Sequence, residues 1–314
     1  MDNKAIYRNF CNDIPDLPIY MYDWYLDAVC VDCSWDVAIA KNGDKLVGAF
    51  PYVLKRKAFF TYLTMPTFVK FMGPILHPEY REHKHEVAIY NQLLQQLPNL
   101  DSFKQNFHYL AANWLPFYWK GYQQTTRYSY RIELQDLDEV FGNINRNMRR
   151  NIKKAQKQVR VLSQGTPQEF YAVNSLSFSR QGLSIPYTQS FFERHDQSLM
   201  EHNARAMFFA RDAQGRLHSA AHLIWDREAS YYHLSGDDPD LRDSGSGILL
   251  IWEAIKYTKE VLGLKYFDFE GSMLPQVEQI RRQFGAKQQP YFFVWKYNSS
   301  VFQVLDYWRG NRPR

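Results

Sequence analysis

The sequence predicts an α+β fold made of two similar halves, and three repeated patterns support that prediction. Residues 35–54 and residues 206–225 each alternate apolar and polar side chains around a turn, as β-hairpins do. Each hairpin is followed by an aromatic segment that is typical of a strand. A glycine and a polar turn lead into another aromatic strand at Gly121 and again at Gly285. Because the patterns recur in the same order, we expect a duplicated α+β domain.

The elements of each half are predicted in the order helix, hairpin, strand, helix, strand, helix, strand. The hairpin turns are placed at Gly43 and at Gly215, which occupy equivalent positions in the two halves. The aromatic strands begin near Ala58, in AFFTYLTMP, and near Ala229, in ASYYHLSG. The alternative is a single mixed sheet in which the hairpins are similar by chance.

We place the boundary between the halves where a strand ends and a basic helix begins, in residues 133–139. The predicted domains are therefore residues 1–134 and residues 135–314. A chain of 314 residues with 45% apolar residues is long enough to form two hydrophobic cores.

The positive charge of the chain is local. The formal net charge is +5, and residues 143–160, NINRNMRRNIKKAQKQVR, carry seven Lys or Arg residues and no acidic residue. Removing these seven charges from +5 leaves −2 for the remainder, which argues against general nucleic-acid packaging and DNA binding. The first residues lack the apolar core of a leader, and no apolar run approaches the roughly 18 residues of a membrane span. We expect a cytoplasmic protein without a transmembrane segment.

The basic segment is predicted to form an amphipathic helix. At 100° per residue its cations fall on one arc, and Ile144, Met148, Ile152, Ala155 and Val159 fall on the other side. Such a stripe is often only a solvated helix face, but here no acidic residue at i±4 offsets the repulsion between cations. We therefore interpret the stripe as a site for a phosphate-bearing substrate, with these candidate residues: Arg146, Arg149, Arg150 and Lys153.

A second phosphate site is suggested by RDSGSG at residues 242–247, which precedes the apolar helical run ILLIWEAIKYTKEVLG. A glycine-rich turn at a helix N-terminus presents backbone N–H groups and the positive end of the helix dipole to an anion. Glycine allows a phosphate to approach the backbone closely. The candidate donor-binding residues are Arg242, Ser244, Gly245, Ser246, Gly247 and Ile248.

The cysteines do not indicate a metal site. Cys30 and Cys33 form an isolated C-x-x-C without a second pair or a cluster of histidines, and Cys11 stands alone. Reduced thiols are the expected state, and no metal is assigned.

With its position between an aromatic strand and an apolar helix, R-x-x-G-x-G resembles the pyrophosphate loop of the GNAT acyltransferases. The segments MRRNIKKAQKQVRV, GLKYFDFEGS and IRRQFGAKQQPYF resemble the FemAB-like branch of that superfamily. The resemblance is firmest from residue 143 to residue 293, and over the first half it depends on the internal repeat. It implies two tandem GNAT-like domains, each with a mixed, mostly antiparallel sheet flanked by helices.

The resemblance also implies acyl transfer to an amine. The branch includes FemABX peptidyltransferases, which use aminoacyl-tRNA to extend peptidoglycan precursors, and many uncharacterised bacterial acyltransferases. No long heptad-patterned helical hairpin, such as several Fem enzymes insert, is visible in this chain. The acyl-CoA loop instead matches well, which favours a CoA thioester, with acetyl-CoA as the first candidate, over tRNA as the donor carrier.

Three residues are candidates for the base that deprotonates the amine. In the resembled fold the strands YYHLS and FDFEG flank the acyl cleft, and alternation places His233 on a face with Tyr231 and Ser235. The same alternation places Asp268 and Glu270 together. Glu270 is favoured because it lies at the end of its strand, whereas Asp268 could equally anchor a loop and His233 could be a core residue. Some enzymes of the fold use no protein base and depend on orientation.

Three functions therefore remain open from the sequence. The first is a CoA-dependent N-acyltransferase that acts on a small or phosphate-bearing amine. The second is an aminoacyl-tRNA-dependent transferase that acts on a cell-wall precursor. The third is a protein that has kept the fold and binds ligands without catalysis. No arrangement typical of a covalent acyl-enzyme is recognisable.

Overall fold

The computed structural model describes residues 2–310. By their contacts these residues form two compact units. The first unit consists of the residues up to Arg127 together with those from Pro290 onward, and the second unit runs from Tyr128 to Gln289. Each unit has its own core and its own set of strands, which is called its sheet below.

The first unit begins with two helices that precede a hairpin. Its elements are α1 (Asn3–Asp13), α2 (Asp23–Val29), β1 (Ser34–Asn42), β2 (Lys45–Lys57), β3 (Phe60–Leu63), β4 (Ile75–Leu76), α3 (His83–Gln95), β5 (Ser102–Asn106), α4 (Leu115–Tyr118) and the start of β6 (Gln123–Glu133). The end of β12 (Lys287–Tyr297) and α11 (Ser300–Trp308) complete it.

The sheet of the first unit has the order β1-β2-β3-β5-β12, with β4 added beside β2. The pairs β1–β2 and β2–β3 are antiparallel, β3–β5 is parallel, and β5–β12 is antiparallel. One face of this sheet is packed by aromatic side chains, including Phe50, Phe103, Phe107 and Phe117, which meet edge-to-face in most pairs.

The second unit continues from the end of β6. Its further elements are α5 (Leu137–Asn143), α6 (Arg146–Ala155), β7 (Arg160–Leu162), α7 (Pro167–Ser179), α8 (Gln189–Glu201), β8 (Arg205–Arg211), β9 (Leu217–Trp225), β10 (Ala229–Asp237), α9 (Ser246–Glu260), β11 (Tyr266–Asp268) and α10 (Pro275–Gln283). Its sheet has the order β6-β11-β10-β9-β8-β7.

The two sheets repeat one pairing pattern. In the second unit β8–β9 and β9–β10 are antiparallel, β10–β11 is parallel, and β11–β6 is antiparallel. This is the same series of pairings as in the first unit, and the hairpins occupy equivalent places in the two sheets. The turn glycines Gly43 and Gly215 both have positive φ, at 61° and 80°. The predicted duplicated α+β architecture is confirmed.

The division into units differs from the predicted ranges 1–134 and 135–314. The last strand of each sheet comes from the other half of the sequence: β12 pairs with β5, and β6 pairs with β11. Contacts therefore assign residues 128–134 to the second unit and residues from Pro290 to the first. Contacts do not test where one copy of the sequence repeat ends and the next begins, so the boundary in residues 133–139 stays a prediction.

Within residues 2–310, no helix has both the length and the apolar composition that crossing a bilayer requires.

Candidate active site

A cavity of about 330 Å³ opens in the second unit beside the end of β10. It lies among β10, the N-terminus of α9, and α10. Its lining combines apolar side chains with one Asp, one His and two Arg side chains. The lining residues discussed below are Tyr232, His233, Ser235, Asp237, Arg242, Gly245, Gly247, Ile248, Phe269 and Arg281. The structure thus brings His233 together with most of the predicted donor loop.

The alternation predicted for β10 is interrupted at His233. The register against β9 shifts between Tyr232 and Leu234, which is the signature of a β-bulge. Beyond the bulge the faces are exchanged: Asp237 lies against Gly247 of α9, and Gly236 lies against α7. The predicted common face of His233 and Ser235 is therefore wrong, because the extra residue reverses the alternation between them.

His233 and Glu270 form a hydrogen-bonded pair. His233 Nδ1 lies 2.6 Å from Glu270 Oε1, and both side chains are largely buried. β11 ends at Asp268, so Glu270 lies just beyond the strand, with a left-handed backbone at φ 57°. This conformation is strained for a residue with a Cβ and is often found at functional sites.

Two further histidines pack behind the pair. The ring centroids of His195 and His222 lie 5.4 and 6.0 Å from that of His233. His222 Nε2 is 2.9 Å from Asp196 Oδ1. Burial lowers the pKa of both His195 and His222, so these rings are neutral near pH 7. They therefore form an uncharged wall that positions His233.

Asp268 supports the turn and does not line the cavity. Its fully buried carboxylate accepts hydrogen bonds from Ser129 Oγ at 2.5 Å and from the Glu270 backbone N–H at 2.7 Å. Arg131 Nε lies 3.5 Å away. Burial raises the pKa of Asp268 to about 6, although Ser129 and Arg131 oppose the shift. Its geometry is that of a positioning residue for Glu270.

The raised pKa of Asp268 predicts a pH dependence of stability. The folded state keeps this proton to about pH 6 whereas the unfolded chain loses it near pH 4, so stability should fall as pH rises between these values. Asp268→Asn keeps an oxygen for the Glu270 N–H and should remove up to about 3 kcal/mol of this dependence. The measurement is the free energy of unfolding in urea from pH 4 to pH 7. If the free energy of unfolding depends on pH in the same way in Asp268→Asn and in the parent, the prediction is contradicted. The control is Glu260→Gln, on the exposed end of α9.

The donor loop has the predicted glycine turn at the start of α9. Gly245 is the N-cap residue with φ 73°, and α9 begins at Ser246. Fewer backbone N–H groups are available than the sequence predicted, because those of Ser244, Gly245, Ser246 and Ile248 already donate within the loop. Within the described chain, the Gly247 N–H has no protein acceptor. Fewer backbone N–H groups are therefore free to bind an anion than predicted, because the first turn of α9 is closed by 3₁₀-type hydrogen bonds.

The side chain of Ser244 is an anchor of the loop. It is buried, and its Oγ donates to the Leu241 carbonyl at 2.8 Å and lies 3.0 Å from His218 Nδ1. His218 Nε2 in turn lies 3.0 Å from Asp212 Oδ2. These contacts hold the loop against β9 and leave the Ser244 hydroxyl no role toward a ligand.

The sequence explained the loop glycines by the close approach of a phosphate to the backbone, and the structure gives each of them a different reason. A Cβ on Gly247 would lie 2.6 Å from Asp237 Oδ1, so the carboxylate already fills that space. A Cβ on Gly245 would have room, but the positive φ would be strained. Substitution of either glycine should therefore lower the stability of the fold, as well as alter the approach of a phosphate to the backbone.

The basic helix lies beside this loop. α6 spans Arg146–Ala155, shorter than the predicted segment, and Ile152 and Ala155 are buried in the core of the second unit. Lys154 Nζ donates to the Asp243 carbonyl at 2.9 Å. The space around Gly245 Cα is bordered by Asn151 and Ala155. The predicted packing face is confirmed, and the helix borders the donor loop.

Two ionisable residues of the cavity were not singled out from the sequence. Arg281 of α10 donates to the Phe269 and Val277 carbonyls, and its Nε has no acceptor within residues 2–310. Burial lowers its pKa and raises the pKa of Asp237. The amphipathic pattern of α10 turns Arg281 inward and leaves the neighbouring Arg282 exposed, and this pattern could have identified Arg281 from the sequence.

The first unit has no equivalent loop in the described chain. Its segment between β3 and α3, residues 64–82, contains a single glycine, Gly73, and α3 begins after Glu82 as N-cap. A carboxylate at a helix N-terminus opposes anion binding there. Across residues 2–310, no group of three or more His, Cys, Asp or Glu side chains is arranged to hold a metal ion.

Residues 142–275 match the family model of the acetyltransferase (GNAT) domain. No curated protein matches the chain in sequence. The matched segment includes the basic helix, β10, the donor loop, His233 and Glu270.

Solved structures share the fold over most of the chain. The structure of FemX is similar with a TM-score of 0.73 at 12% identity, covering 96% of this chain and 98% of FemX. A tandem GNAT protein from the clavulanic acid biosynthesis pathway gives 0.58 at 11% identity, covering 93% of this chain and 92% of the other. L-PGS from Bacillus licheniformis gives 0.57 at 10% identity, with 92% of each chain covered. At these identities the likeness concerns the fold, and it confirms the predicted tandem arrangement.

Proposed function

We propose that the chain is a FemAB-like GNAT acyltransferase, because residues 142–275 match the GNAT family model and the chain shares its fold with FemX and with a tandem GNAT protein. In this proposal it transfers an acyl group from a CoA thioester, with acetyl-CoA as the first candidate, to an amine. The observation that carries the proposal is one cavity lined both by His233 of the His233–Glu270 pair and by the turn at the N-terminus of α9. A proton acceptor and a phosphate-binding turn in one cavity suit a thioester donor and an amine acceptor.

The reaction requires the acceptor ammonium to lose one proton before it attacks the carbonyl. The Glu270–His233 pair takes this proton in our proposal, with Asp268 and Ser129 holding the turn on which Glu270 lies. Attack forms the C–N bond and a tetrahedral oxyanion. The intermediate collapses as the C–S bond breaks. The attacking nitrogen gives up its second proton, and the departing CoA thiolate takes up that proton and leaves as the thiol.

Arg281 is proposed to stabilise the oxyanion. Its guanidinium lines the cavity, and its Nε–H is a buried donor without a protein acceptor in the described chain. A fixed positive charge in a partly desolvated cavity stabilises developing negative charge more strongly than water does. This assigns a role in the transition state to a residue whose pKa is lowered by burial but which stays protonated.

The phosphates of the donor are proposed to lie between the turn of α9 and the cationic face of α6. The Gly247 N–H and the dipole of α9 act on the pyrophosphate. Lys154 already reaches the loop, so the neighbouring cations, including Arg150, are close to any phosphate that extends from it. The sequence predicted that Arg146, Arg149, Arg150 and Lys153 bind the acceptor. They lie on the same helix as Lys154, and the contact of Lys154 with the loop favours the donor instead.

The alternative is an aminoacyl-tRNA donor, and one specific observation favours it. The Asp237 carboxylate lies in the cavity against the turn, where it would repel a pyrophosphate if ionised and would attract the α-ammonium of an aminoacyl ester. The acceptor in that case would be a cell-wall or lipid precursor, in keeping with the FemX and L-PGS likenesses. The raised pKa of Asp237 reduces the repulsion without removing it.

We predict that acetyl-CoA raises the melting temperature of the protein and that dephospho-CoA does so less, because it lacks one phosphate for the α6 cations. Arg146→Glu with Arg150→Glu should weaken acetyl-CoA binding, and the loss should shrink as salt rises. Binding is measured by titration calorimetry at several salt concentrations. Lys287→Glu, an exposed cation outside the cavity, is the matched control.

The salt dependence separates the two donors. A nucleotide that contacts one or two cations gives a shallow log–log slope, whereas tRNA gives a slope of several units, at about −0.7 to −0.9 per phosphate neutralised. Absence of stabilisation by acetyl-CoA, together with a steep slope for tRNA, would replace the CoA proposal by the aminoacyl alternative. Unchanged binding in the double variant would leave the stripe as a solvated helix face.

A further inference from the structure

An apolar surface of the first unit lies outside everything described above. α11 turns Phe302 and Asp306 inward, and its opposite side carries Val301, Val304, Leu305 and Trp308. At 100° per residue these four side chains fall within an arc of about 100°. The solvent side of a surface helix is normally polar, whereas this face is an apolar stripe that no part of the chain within residues 2–310 covers.

The stripe is extended by the tip of the β2–β3 hairpin. Phe59 is 81% exposed and Trp308 is 88% exposed. The Phe59 ring lies 4.2 Å from that of Phe60, and the Phe60 ring lies 5.2 Å from that of Phe302 on the inner side of α11. The hairpin tip and the helix are thus joined by packed aromatic rings, and together they form what we call the α11 patch: Phe59, Val301, Val304, Leu305 and Trp308.

Cations surround the α11 patch. Arg56 and Lys57 immediately precede the hairpin tip, and Arg309 follows Trp308; all three are exposed. In the part of the chain that the structure describes, none of the three forms an ion pair. Lys57 and Arg309 also line a cavity of about 500 Å³ in the same unit, with Lys55, Lys104, Arg127 and one carboxylate, Asp306. Lys55 is paired with Asp32 and Lys104 with Asp306, so the positive charge around the patch comes from Arg56, Lys57, Arg127 and Arg309.

We propose that the α11 patch docks on the surface of an anionic phospholipid bilayer. An exposed tryptophan and phenylalanine enter the interface between headgroups and acyl chains, where amphipathic aromatic rings are favoured. The surrounding arginines and lysine meet the lipid phosphates, whose negative surface potential attracts basic segments. This surface does not depend on the acyl-transfer proposal.

Charge argues for a bilayer over a second copy of the chain. A two-fold dimer formed through the α11 patch would bring the cations around one patch toward those around the other. Repulsion between like charges opposes that contact, whereas an anionic surface neutralises all of them at once. The combination of apolar centre and positive rim therefore fits lipid phosphates better than self-association.

The test is co-sedimentation of the intact protein with vesicles of phosphatidylcholine, with and without phosphatidylglycerol. We expect binding to the anionic vesicles and at least about tenfold weaker binding to the neutral ones, with the difference lost at high salt. Phe59→Ser with Trp308→Ser should reduce binding to anionic vesicles at least tenfold, and Lys57→Glu with Arg309→Glu should do the same. These side chains are exposed, so the variants should melt as the parent does.

Matched controls in the same unit distinguish the patch from general stickiness. Trp119→Ser removes another exposed aromatic ring, and Lys41→Glu reverses another exposed cation, so both should bind as the parent does. Equal binding to neutral and anionic vesicles, no binding to either, or unchanged binding of the patch variants would overturn the proposal. Self-association in analytical ultracentrifugation that Phe59→Ser with Trp308→Ser abolishes, without vesicle binding, would assign the face to a second copy instead.

Discussion

Replacing Glu270 by glutamine should lower the rate constant of acyl transfer by about 10²- to 10⁴-fold, the usual contribution of a positioned general base. Glutamine keeps the size of the side chain and still accepts a hydrogen bond from His233, but it cannot take a proton. The pair is joined at 2.6 Å, so we expect the two residues to act as a unit. His233→Ala combined with Glu270→Gln should therefore cost little more than either change alone.

The measurement is release of the CoA thiol in the presence of a panel of amines that includes amino sugars, amino acids and polyamines. Acetyl-CoA affinity should change little in Glu270→Gln, which separates loss of proton transfer from loss of donor binding. Glu260→Gln, at the exposed end of α9, should transfer acyl groups at the parental rate. A rate within tenfold of the parent in Glu270→Gln would mean that orientation of the amine suffices, without a protein base.

The second large effect is expected at Gly271, which follows Glu270 in the turn. A Cβ at this position would lie 2.1 Å from the Tyr128 carbonyl oxygen and 2.7 Å from Ser129 Cα, so backbone atoms would have to move. The residue also has φ 65°, a left-handed conformation that costs other residues about 1–2 kcal/mol. Together the clash and the strain should lower the free energy of unfolding of Gly271→Ala by at least about 3 kcal/mol.

Gly263 provides the control for this prediction. It has the same φ of 65°, but a Cβ there would meet no heavy atom within 4 Å. Gly263→Ala should therefore show only the conformational cost of about 1–2 kcal/mol. Urea unfolding measures both variants, and failure of Gly271→Ala to fold while Gly263→Ala folds agrees with the expectation. Equal losses in the two variants would show that the Tyr128 carbonyl moves away at little cost.

Much of the local structure was predictable because it depends on neighbouring residues. The alternation of apolar and polar residues and the turn glycines predicted the positions of both hairpins. The glycine turn before an apolar run predicted the start of α9, which lies at Ser246. The 3.6-residue period of the basic segment identified Ile152 and Ala155 as buried. Glu270 was selected because a glycine follows it at the end of a strand, and the structure brings it to His233, which the sequence had also named.

Other features depend on contacts between distant segments, and no local pattern carries them. Asp237 reaches the donor turn only because a bulge reverses the faces of β10, and one extra residue in a strand leaves little trace in composition. Asp268 holds the turn that carries Glu270 because it contacts Ser129 and Arg131, which lie more than a hundred residues earlier in the chain. Arg281 lines the cavity because of the way α10 packs.

The sequence by itself determined the main order of elements, the duplication and the residues that are candidates for a base and a phosphate site. Only the tertiary structure decided that β12 completes the sheet of the first unit and that β6 completes that of the second. The reason is physical: a strand's own alternation specifies which side chains face the core, but its partner is chosen by whichever sheet edge it meets, and both edges offer the same unpaired N–H and C=O groups. The two strands are aromatic and follow similar glycine turns, so their own residues are compatible with either place.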